Sequence, residues 1–440
     1  MIFLIILQKL FPFTACYNNA SLRKNYTFLK VQIYIHFIDM DLKSSEPFWL
    51  IKNGLLNSYP SIDKDITTDV LIVGGGITGS LIAHQCIKDG YETALMDRRE
   101  VCNGSTSATT SMLQYEIDVP LHKLAKNIGA EGAVKSYIAC YKAIDTVGEI
   151  AKEIKSKCGY KKKKSLYFTS SEKDVDMLKD ELAARKAATF EVEWLEKEEI
   201  ENRYGLCNTY GGILSQQGAS VDAFKLAHDL LMHNQKKGLQ IFDKTEITKT
   251  TYLEDGVQIL TDYGHSITAK KVIYCNGYES TQMINDKFVK LLSSFAMVSE
   301  RDKCMHDKLK NILIWNTDQP YLYIRTTDDG RVLVGGEDVK FRNSLLREKL
   351  LPNKTKKLHE SVQRFFPYFE YRVDFSWAGT FGETKDGLPY IGEHPDFPNS
   401  YWVLGFGGNG ITFSVAGMQM VSAYLKGEKH ELSEWFRFRR

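Results

Sequence analysis

The sequence lacks the cysteine patterns that build disulfide frameworks and zinc sites. Its eight cysteines are scattered along 440 residues, and no two of them form a C-x-x-C pair. Disulfide-rich scaffolds and structural zinc sites both use cysteines at short, paired spacings. We therefore expect free thiols in a reducing compartment, no bound metal and a cytoplasmic protein.

The sequence also lacks a hydrophobic run that could cross a membrane. The apolar run at the N-terminus, Ile2–Leu7, has six residues, whereas a helix that spans a bilayer needs about 20. No basic segment precedes this run, although a secretory signal peptide would require one. We therefore expect no stable membrane anchor.

Two interpretations of residues 1–39 remain open. They form either a poorly ordered extension or a stretch upstream of a start of translation at Met40, and we favour the start at Met40. Residues 13–16 read F-T-A-C, a poor match to a lipoprotein cleavage site. A lipidated Cys16 would overturn the cytoplasmic prediction. Residues 40–65 are interpreted as an irregular lead-in to the folded body.

An excess of charge of one sign is missing as well. The chain has 57 Lys and Arg against 55 Asp and Glu, a formal net charge of +2. A domain that binds nucleic acid normally carries a clear basic excess. We therefore expect no nucleic-acid partner. A length of 440 residues is enough for two domains.

A glycine-rich turn between a predicted strand and a predicted helix organises the chain. Val70–Val73 is an apolar, β-branched run of the kind that fills a buried parallel strand. Residues 74–79 follow at once and read G-G-G-I-T-G, which matches G-x-G-x-x-G. The pattern then predicts a helix that ends near Gly90 and a strand at Thr93–Met96 that ends at Asp97.

Each part of this motif has a role in binding a dinucleotide. Gly74 allows the tight turn, Gly76 lets a pyrophosphate approach the backbone, and Gly79 lets helix and strand pack closely. An acid at the position of Asp97 can accept hydrogen bonds from an adenosine ribose. The expected phosphate donors are the backbone N–H groups at the helix start, at Gly76, Ile77 and Thr78.

Three further stretches bear on the site or the surface. Gly104–Ser111 is rich in hydroxyl groups and predicts contact with a phosphate or ribityl chain, although an ordinary Ser/Thr turn is the alternative. Met112–Tyr115 combines apolar side chains with one amide and one phenol, and could face a ring system. The lysine run Lys161–Lys164 predicts a solvated sheet edge.

A second glycine-rich turn, Gly405–Gly410, lies between a predicted strand and the last predicted helix. A nicotinamide enzyme would need only the first turn, whereas FAD is long enough to reach both. Backbone N–H groups of Gly408–Ile411 could then stabilise the negative charge that a reduced flavin develops. The alternative is a glycine hinge before a surface helix.

Together these features resemble the FAD-dependent D-amino-acid oxidase family, and most of all its glycine oxidase and γ-glutamylputrescine oxidase branches. The resemblance extends from about Ile66 to Gly427. The matching segments are Gly74–Gly79, Asp97, Gly104–Ser107, Cys275–Gly277, Gly335–Glu337, Trp377–Gly379, Asp386–Gly392 and Gly405–Gly410.

The resemblance implies an α/β (α+β) protein with a Rossmann-like FAD-binding domain and a discontinuous mixed-sheet substrate domain. The expected FAD-binding domain comprises residues 66–160, 215–285 and 375–430, and the expected substrate domain comprises 161–214 and 286–374. The implied chemistry is hydride transfer from the carbon of a C–N bond to flavin N5, followed by hydrolysis of the imine. Oxygen or an electron carrier would reoxidise the flavin.

The site residues follow from the motifs and the resemblance, and no catalytic acid or base is assigned. The expected cofactor-binding residues are Gly74, Gly76, Ile77, Thr78, Gly79, Asp97, Arg98, Ser105, Thr106, Ser107, Ile247, Gly277, Gly407, Gly408, Asn409, Gly410, Ile411 and Thr412. The expected substrate contacts are Gln114, Tyr115, Tyr323, Arg325 and Phe381.

Two departures from the family pattern affect the prediction. The glycine oxidase branch places a carboxylate-binding arginine shortly after the Trp-Ala-Gly strand, but Thr380–Gly382 contains no cation. Arg325 is a candidate substitute. Some relatives tether the flavin through a cysteine in the segment after that strand, and Phe375–Gly392 has none. We therefore expect FAD to be bound non-covalently.

Three classes of function remain open at this point. The favoured class is oxidation of the C–N bond of an amine or amino acid. The second class is another flavin reaction, either oxidation of a 2-hydroxy acid, for which Arg325 would bind the carboxylate, or demethylation of an N-methyl amine. The third is a non-catalytic flavin-binding or tRNA-modifying protein, which the near-neutral charge disfavours.

Overall fold

The computed structural model describes residues 41–405 and 407–440, so the predictions for residues 1–39 lie outside the described residues. The helices are α1 (Phe48–Asn53), α2 (Ile77–Lys88), α3 (Ser105–Ala108), α4 (Leu121–Ile128), α5 (Ala130–Glu153), α6 (Val175–Ala187), α7 (Lys197–Tyr204), α8 (Ala223–Gln235), α9 (Lys303–Leu309), α10 (Ser344–Phe365), α11 (Gly410–Leu425) and α12 (Ser433–Phe436). The strands are β1 (Lys43–Ser44), β2 (Ile66–Val73), β3 (Thr93–Met96), β4 (Met112–Leu113), β5 (Lys161–Lys162), β6 (Lys164–Phe168), β7 (Val192–Leu195), β8 (Gly212–Ser215), β9 (Ala219–Ser220), β10 (Gln240–Phe242), β11 (Ile247–Leu253), β12 (Gly256–Thr261), β13 (Ser266–Tyr274), β14 (Val289–Ser299), β15 (Ile312–Asn316), β16 (Leu322–Thr326), β17 (Val332–Lys340), β18 (Val373–Thr384), β19 (Tyr390–Gly392) and β20 (Ser400–Leu404).

A parallel sheet carries the first glycine-rich turn. Strands β10, β3, β2, β13 and β20 lie side by side in that order, and each neighbouring pair is parallel. Successive side chains of β2 point to opposite faces. Val70 and Ile72 pack with Leu81 of α2, whereas Leu71 packs with Val272 on the other face. Because both faces are covered there, the second half of the strand, Val70–Val73, is apolar at every position. The predicted mixed α/β architecture is confirmed.

Strand β13 is longer than its sequence pattern indicates. The pattern predicts an antiparallel meander that ends near Thr268 and a separate strand at Val272–Cys275. The structure joins them: Ser266–Ala269 pairs antiparallel with β12, and Val272–Tyr274 pairs parallel with β20. All of β13 also pairs with β2. On the side away from β2, the first half of β13 pairs with β12 and the second half pairs with β20. The two halves therefore have different hydrophobic patterns, although the backbone is continuous.

A nine-stranded mixed sheet forms the second large unit of structure. Its order is β1-β18-β14-β17-β16-β15-β6-β8-β7, and every neighbouring pair is antiparallel except β15 and β6. Strand β1, from the predicted lead-in, pairs with β18 at one edge of this sheet, and β18 contains the first residues of the 375–430 segment predicted for the FAD-binding domain. Strands β4, β9 and β5 form a small third sheet.

The lysine run is not solvated along its whole length. Lys161, Lys162 and Lys164 are exposed, but Lys163 is buried. Its Nζ donates a hydrogen bond to Thr326 Oγ1 at 2.6 Å, and burial lowers its pKa to about 6. The prediction of a solvated edge is therefore wrong at this position, because the Lys163 side chain is buried and bonded to Thr326.

Helix α6 contributes two residues to a cluster of buried charged side chains. Arg185 and Glu181 are both 0% exposed, and Arg185 Nε donates to Glu181 Oε1 at 2.7 Å. Arg185 Nη1 donates to Glu116 Oε1 at 3.4 Å, and His122 Nδ1 lies 2.8 Å from Glu181 Oε2. Buried charges are tolerated only when they are paired in this way.

Candidate functional site

One cavity of about 800 Å³ is lined by residues of both glycine-rich turns. The first turn contributes Gly74 and Gly76, and the second contributes Gly407, Gly408 and Gly410. The two helices that follow these turns are in contact at their first turns, because Thr78 Oγ1 lies 2.7 Å from Ser414 Oγ. The two helix N-termini therefore open onto the same space.

The glycines of the first turn hold strand β2 and helix α2 together. Gly74 has φ +109°, and a Cβ there would lie 2.6 Å from the carbonyl oxygen of Cys275. A Cβ at Gly79 would lie 1.9 Å from the carbonyl oxygen of Gly74. Gly76 faces the cavity instead, and a Cβ there would approach Thr106 Oγ1 to 2.8 Å.

Asp97 supports the first turn from the end of β3. Its Oδ2 accepts a hydrogen bond from the backbone N–H of Gly75 at 2.7 Å, and its Oδ1 accepts one from Arg99 at 2.9 Å. Burial raises the pKa of Asp97 to about 6 against these hydrogen bonds. The neighbouring Arg98 and Arg99 both donate to Glu279 Oε1. Their charges are thus compensated at this end of the cavity.

The second turn already receives a carboxylate. The backbone N–H of Gly408 donates to Asp118 Oδ2 at 2.9 Å, at the positive N-terminal end of helix α11. A Cβ at Gly407 or Gly408 would lie 2.5 or 2.7 Å from the Asp118 carboxylate. Because both glycines lack side chains, the backbone at the start of helix α11 is exposed to the cavity. The Gly408 N–H therefore binds a negatively charged group there.

Residues 112–118 alternate between the cavity and the core. Met112, Gln114, Glu116 and Asp118 line the cavity, whereas the residues between them are buried in the hydrophobic core. Tyr115 therefore faces away from the cavity. Its hydroxyl accepts a hydrogen bond from Ser215 Oγ at 3.0 Å. The structure does not support the predicted substrate contact of Tyr115, because an extended segment alternates its side chains.

Arg325 does not line the cavity either, although the alternation of side chains along an extended segment would place it on the same face as Tyr321 and Tyr323. Its Nη1 donates to the carbonyl oxygens of Ser111 at 2.6 Å and Val221 at 2.9 Å. The guanidinium also lies 5.3 Å from the ring centroid of Trp49. These contacts engage Arg325 in the protein interior, so the structure does not support its predicted role in binding a carboxylate.

The structure brings most of the other predicted site residues together on the cavity wall. Three lie outside it: Gly79 packs against the first turn, while the hydroxyls of Ser107 and Thr412 donate to the carbonyl oxygens of Gly104 and Asn409. Those that line the cavity are Gly74, Gly76, Ile77, Thr78, Asp97, Arg98, Ser105, Thr106, Ile247, Gly277, Gly407, Gly408, Asn409, Gly410, Ile411, Gln114, Tyr323 and Phe381.

Sequence reasoning missed the acidic residues at the inner end of the cavity, which we define by Asp118, Tyr321, Tyr323, Asp338 and Phe381. The period-two pattern of residues 112–118 was the signal that could have identified Asp118. Nothing local marks Asp338, because its direction depends on how β17 pairs with β14.

The charges of the inner end influence one another. Burial raises the pKa of Asp338 to about 7 against a hydrogen bond with Ser294, and the charge of Asp118 adds to the rise. The side chain of Asp118 is open to the cavity, yet the surrounding protein raises its pKa as well. The pKa of Tyr321 is raised well above its usual value by burial, with both carboxylates contributing.

Neither a metal site nor a membrane-spanning helix is found in the described part of the chain. Within residues 41–405 and 407–440, no group of three or more His, Cys, Asp or Glu side chains is arranged to hold a metal ion. Over the same residues, none of the helices has both the length and the apolar character needed to cross a bilayer.

Comparison with known proteins identifies relatives along most of the chain. A family model described as "FAD dependent oxidoreductase" matches residues 69–423. Glycine oxidase of Bacillus subtilis is 25% identical over 381 residues, which cover 80% of this chain and 92% of that protein. Gamma-glutamylputrescine oxidoreductase of Escherichia coli is 21% identical over 379 residues, which cover 84% and 86%. The crystal structure of glycine oxidase from Geobacillus kaustophilus matches with a TM-score of 0.72 at 20% identity, over 85% of this chain and 99% of that one.

Proposed function

Because the chain belongs to the family of FAD-dependent oxidoreductases, we propose that it oxidises the C–N bond of an amine or amino acid. The observation that carries this proposal is the single cavity shared by the two glycine-rich turns. FAD is an extended molecule whose pyrophosphate and ring system both favour helix N-termini. One FAD bound in this cavity would reach both turns.

The residues present fit FAD. A Cβ at Gly76 would clash with Thr106, and a Cβ at Gly407 or Gly408 would clash with Asp118, so only glycine leaves the backbone of both turns accessible from the cavity. Two polar atoms of cavity-lining residues, Asn276 Oδ1 and Gln114 Nε2, are buried and have no hydrogen-bond partner among the described residues. Unpaired buried polar atoms are costly, and a polar ligand in the cavity would satisfy them.

We propose that the chain's own residues divide the work along the cavity. The N–H groups at Gly76 and Thr78 would bind the pyrophosphate, whereas the N–H of Ile77 donates to Thr106 Oγ1 at 3.0 Å. Asp97 would accept hydrogen bonds from the ribose. Gly408–Ile411 would face the flavin ring.

When bound, FAD would supply the acceptor for the hydride that leaves the carbon bearing the nitrogen, and water would hydrolyse the resulting imine to a carbonyl compound and ammonia, or an amine where the nitrogen is substituted. The residues of the inner end then act by positioning. Tyr321, Tyr323 and Phe381 would form aromatic walls beside the reacting carbon, and the carboxylate of Asp118 would accept a hydrogen bond from the reacting amine. The substrate must reach the ring with its reacting nitrogen unprotonated.

The proposal is tested on purified protein incubated with FAD. We expect bound flavin absorbance and anaerobic bleaching by butylamine or alanine, with ammonia as the product. Formaldehyde released from N-methylbutylamine in place of ammonia would favour the demethylase. Bleaching by lactate alone would favour the 2-hydroxy-acid reaction. Failure to bind any flavin would overturn the proposal. The acceptor is found by comparing reoxidation by oxygen with reoxidation by an artificial electron carrier.

We predict that the bound flavin dissociates on denaturation. The cavity is lined by two cysteines, Cys102 and Cys275, and burial raises the pKa of each thiol well above its usual value. Cys102 Sγ also donates to the carbonyl oxygen of Gly75 at 3.3 Å. Neither is therefore poised as a nucleophilic thiolate. Acid precipitation should leave a colourless pellet and a yellow supernatant.

A yellow pellet would contradict this prediction. Repeating the precipitation with Cys102→Ser and Cys275→Ser would then identify the attachment point. All seven described cysteines are free, which agrees with the reducing, cytoplasmic environment that we propose.

A further inference from the structure

The inner end of the cavity holds carboxylates without a matching cation. Asp118 and Asp338 line this part of the cavity, and Glu383 is a further carboxylate on the cavity wall. The only cations that line any part of it, among the described residues, are Arg98, Arg99 and Lys340. The two arginines bind Glu279 at the dinucleotide end, and Lys340 is exposed at the end of β17.

A β-bulge directs Asp338 into the cavity. The register between β14 and β17 shifts between Ser293 and Phe295, so that Glu337 and Asp338 together oppose Ser294. Glu337 has φ +58°, in the left-handed region, and Lys354 Nζ holds its carboxylate at 2.9 Å. Bulges next to active sites commonly redirect a side chain, and strained non-glycine residues concentrate at functional sites.

Asp338 retains hydrogen-bonding capacity that nothing in the described chain uses. Its Oδ1 is buried and has no partner there, although the carboxylate also interacts with Ser294. Asp118 differs, because its Oδ2 already accepts from the Gly408 N–H. The side chains around Asp338 are aromatic or hydroxylic: Tyr321 and Tyr323 lie with ring centroids 5.7 Å apart. Phenol rings and a carboxylate together suit an ammonium group.

The arginines near this end are engaged elsewhere. Arg325 is bound by backbone carbonyls. Arg347 donates to Ser44 Oγ at 2.8 Å and Thr380 Oγ1 at 2.6 Å, and also to the carbonyl oxygen of Lys43. Neither side chain lines the cavity. A carboxylate on the substrate would thus meet like charges and no guanidinium, which strongly disfavours it.

We propose that the substrate is an amine with a second ammonium group, a di- or polyamine, and that Asp338 binds that second ammonium. The inference rests on the proposed amine oxidation and names its substrate class. One nitrogen is oxidised, while the other, still protonated, donates to the free oxygen of Asp338. The second ammonium of the substrate supplies the positive charge that the carboxylates of the inner end lack among the described residues.

The test measures binding rather than turnover. The dithionite-reduced holoprotein, kept anaerobic so that it cannot oxidise an amine, is titrated calorimetrically with 1,4-diaminobutane, 1,5-diaminopentane, butylamine, pentylamine and 4-aminobutyrate. We expect at least one diamine to bind about 10-fold or more tightly than the monoamine of equal length, because a charge-assisted hydrogen bond is gained. We expect 4-aminobutyrate to bind more weakly than butylamine.

Variants assign the effect to one carboxylate. In Asp338→Asn the diamine and the monoamine should bind with about equal affinity, while the affinity for the monoamine changes less than about twofold. Asp338→Glu should restore part of the preference. Asp255→Asn, which removes an exposed carboxylate in a turn outside the cavity, should keep all of it. Flavin content verifies that each variant is folded.

Two results would overturn the inference while leaving amine oxidation intact. One is equal affinity for diamines and monoamines in a protein that is bleached by amines. The other is tighter binding of 4-aminobutyrate than of butylamine, which would indicate a carboxylate site. Loss of flavin binding or of bleaching by every amine would instead overturn the proposed function.

Discussion

Replacing Arg185 with methionine is expected to lower the free energy of unfolding by about 3–5 kcal/mol. The guanidinium is fully buried and donates to Glu181 and Glu116. It also lies 5.7 and 5.9 Å from the ring centroids of Tyr115 and Tyr167. Methionine preserves much of the volume but leaves two carboxylates buried without their cation. Urea unfolding followed by far-UV circular dichroism measures the loss.

Arg203→Met provides the matched control. Arg203 also pairs with a glutamate four positions earlier, since its Nη2 lies 3.1 Å from Glu199 Oε1, but the two side chains are 42% and 45% exposed. Exposed helix pairs contribute about 0.3–0.5 kcal/mol, so this variant should change little. Equal losses in the two variants would contradict the burial argument. Adding Glu181→Gln to Arg185→Met should recover part of the stability.

The effect of Arg185→Met should also depend on pH. Burial alone would raise the pKa of Glu181, but the charge of Arg185 and the hydrogen bonds of His122 outweigh it and lower the pKa to about 2. A carboxyl with a lowered folded pKa contributes stability above its unfolded pKa of about 4.3 and loses it as pH falls towards the folded value. The stability difference between the native protein and Arg185→Met should therefore shrink between about pH 4.3 and 2.

Replacing Gly76 with alanine is expected to weaken FAD binding by about 10- to 100-fold, the equivalent of a steric cost of roughly 1–3 kcal/mol. Gly76 precedes helix α2 with φ −78°, so alanine adds no backbone strain. The added Cβ would occupy cavity space and approach Thr106 Oγ1 to 2.8 Å. Titration of the flavin-free protein with FAD, followed by the change in flavin fluorescence, measures the affinity.

A double variant separates the two clashes. In Gly76→Ala/Thr106→Ala the contact with the Thr106 hydroxyl is removed, and Thr106→Ala alone measures the effect of losing that hydroxyl, which accepts from the Ile77 N–H at 3.0 Å. Affinity recovered beyond the sum of the two single effects reports the clash, and the remaining loss reports the space that the pyrophosphate needs. Gly90→Ala is the control for general damage, because φ there is +87° and no atom lies within 4 Å of the added Cβ. This variant should lose stability but keep FAD binding. Unchanged FAD affinity in Gly76→Ala would contradict the proposed phosphate position.

The sequence by itself determined the features that depend on neighbouring residues. The β-branched run of β2, the glycines that follow it and the position of Asp97 all reflect local constraints on backbone angles and side-chain period. The same holds for the second glycine-rich turn before α11. These local rules predicted the order of elements around both turns, the family resemblance that they supported implied the α/β class, and the structure brings both turns to one cavity.

Tertiary structure alone decided which polar side chains meet in that cavity. Tyr115 turned to the core because the alternation of residues 112–118 was anchored by neighbours distant in sequence, and Arg325 was captured by carbonyls of Ser111 and Val221. Asp338 faces inward because β17 is bulged against β14. Pairing partners and register arise from contacts between segments far apart along the chain, and a shift of one residue exchanges the two faces of a strand. Sequence periodicity therefore indicates that a strand exists, while its partner decides where its side chains point.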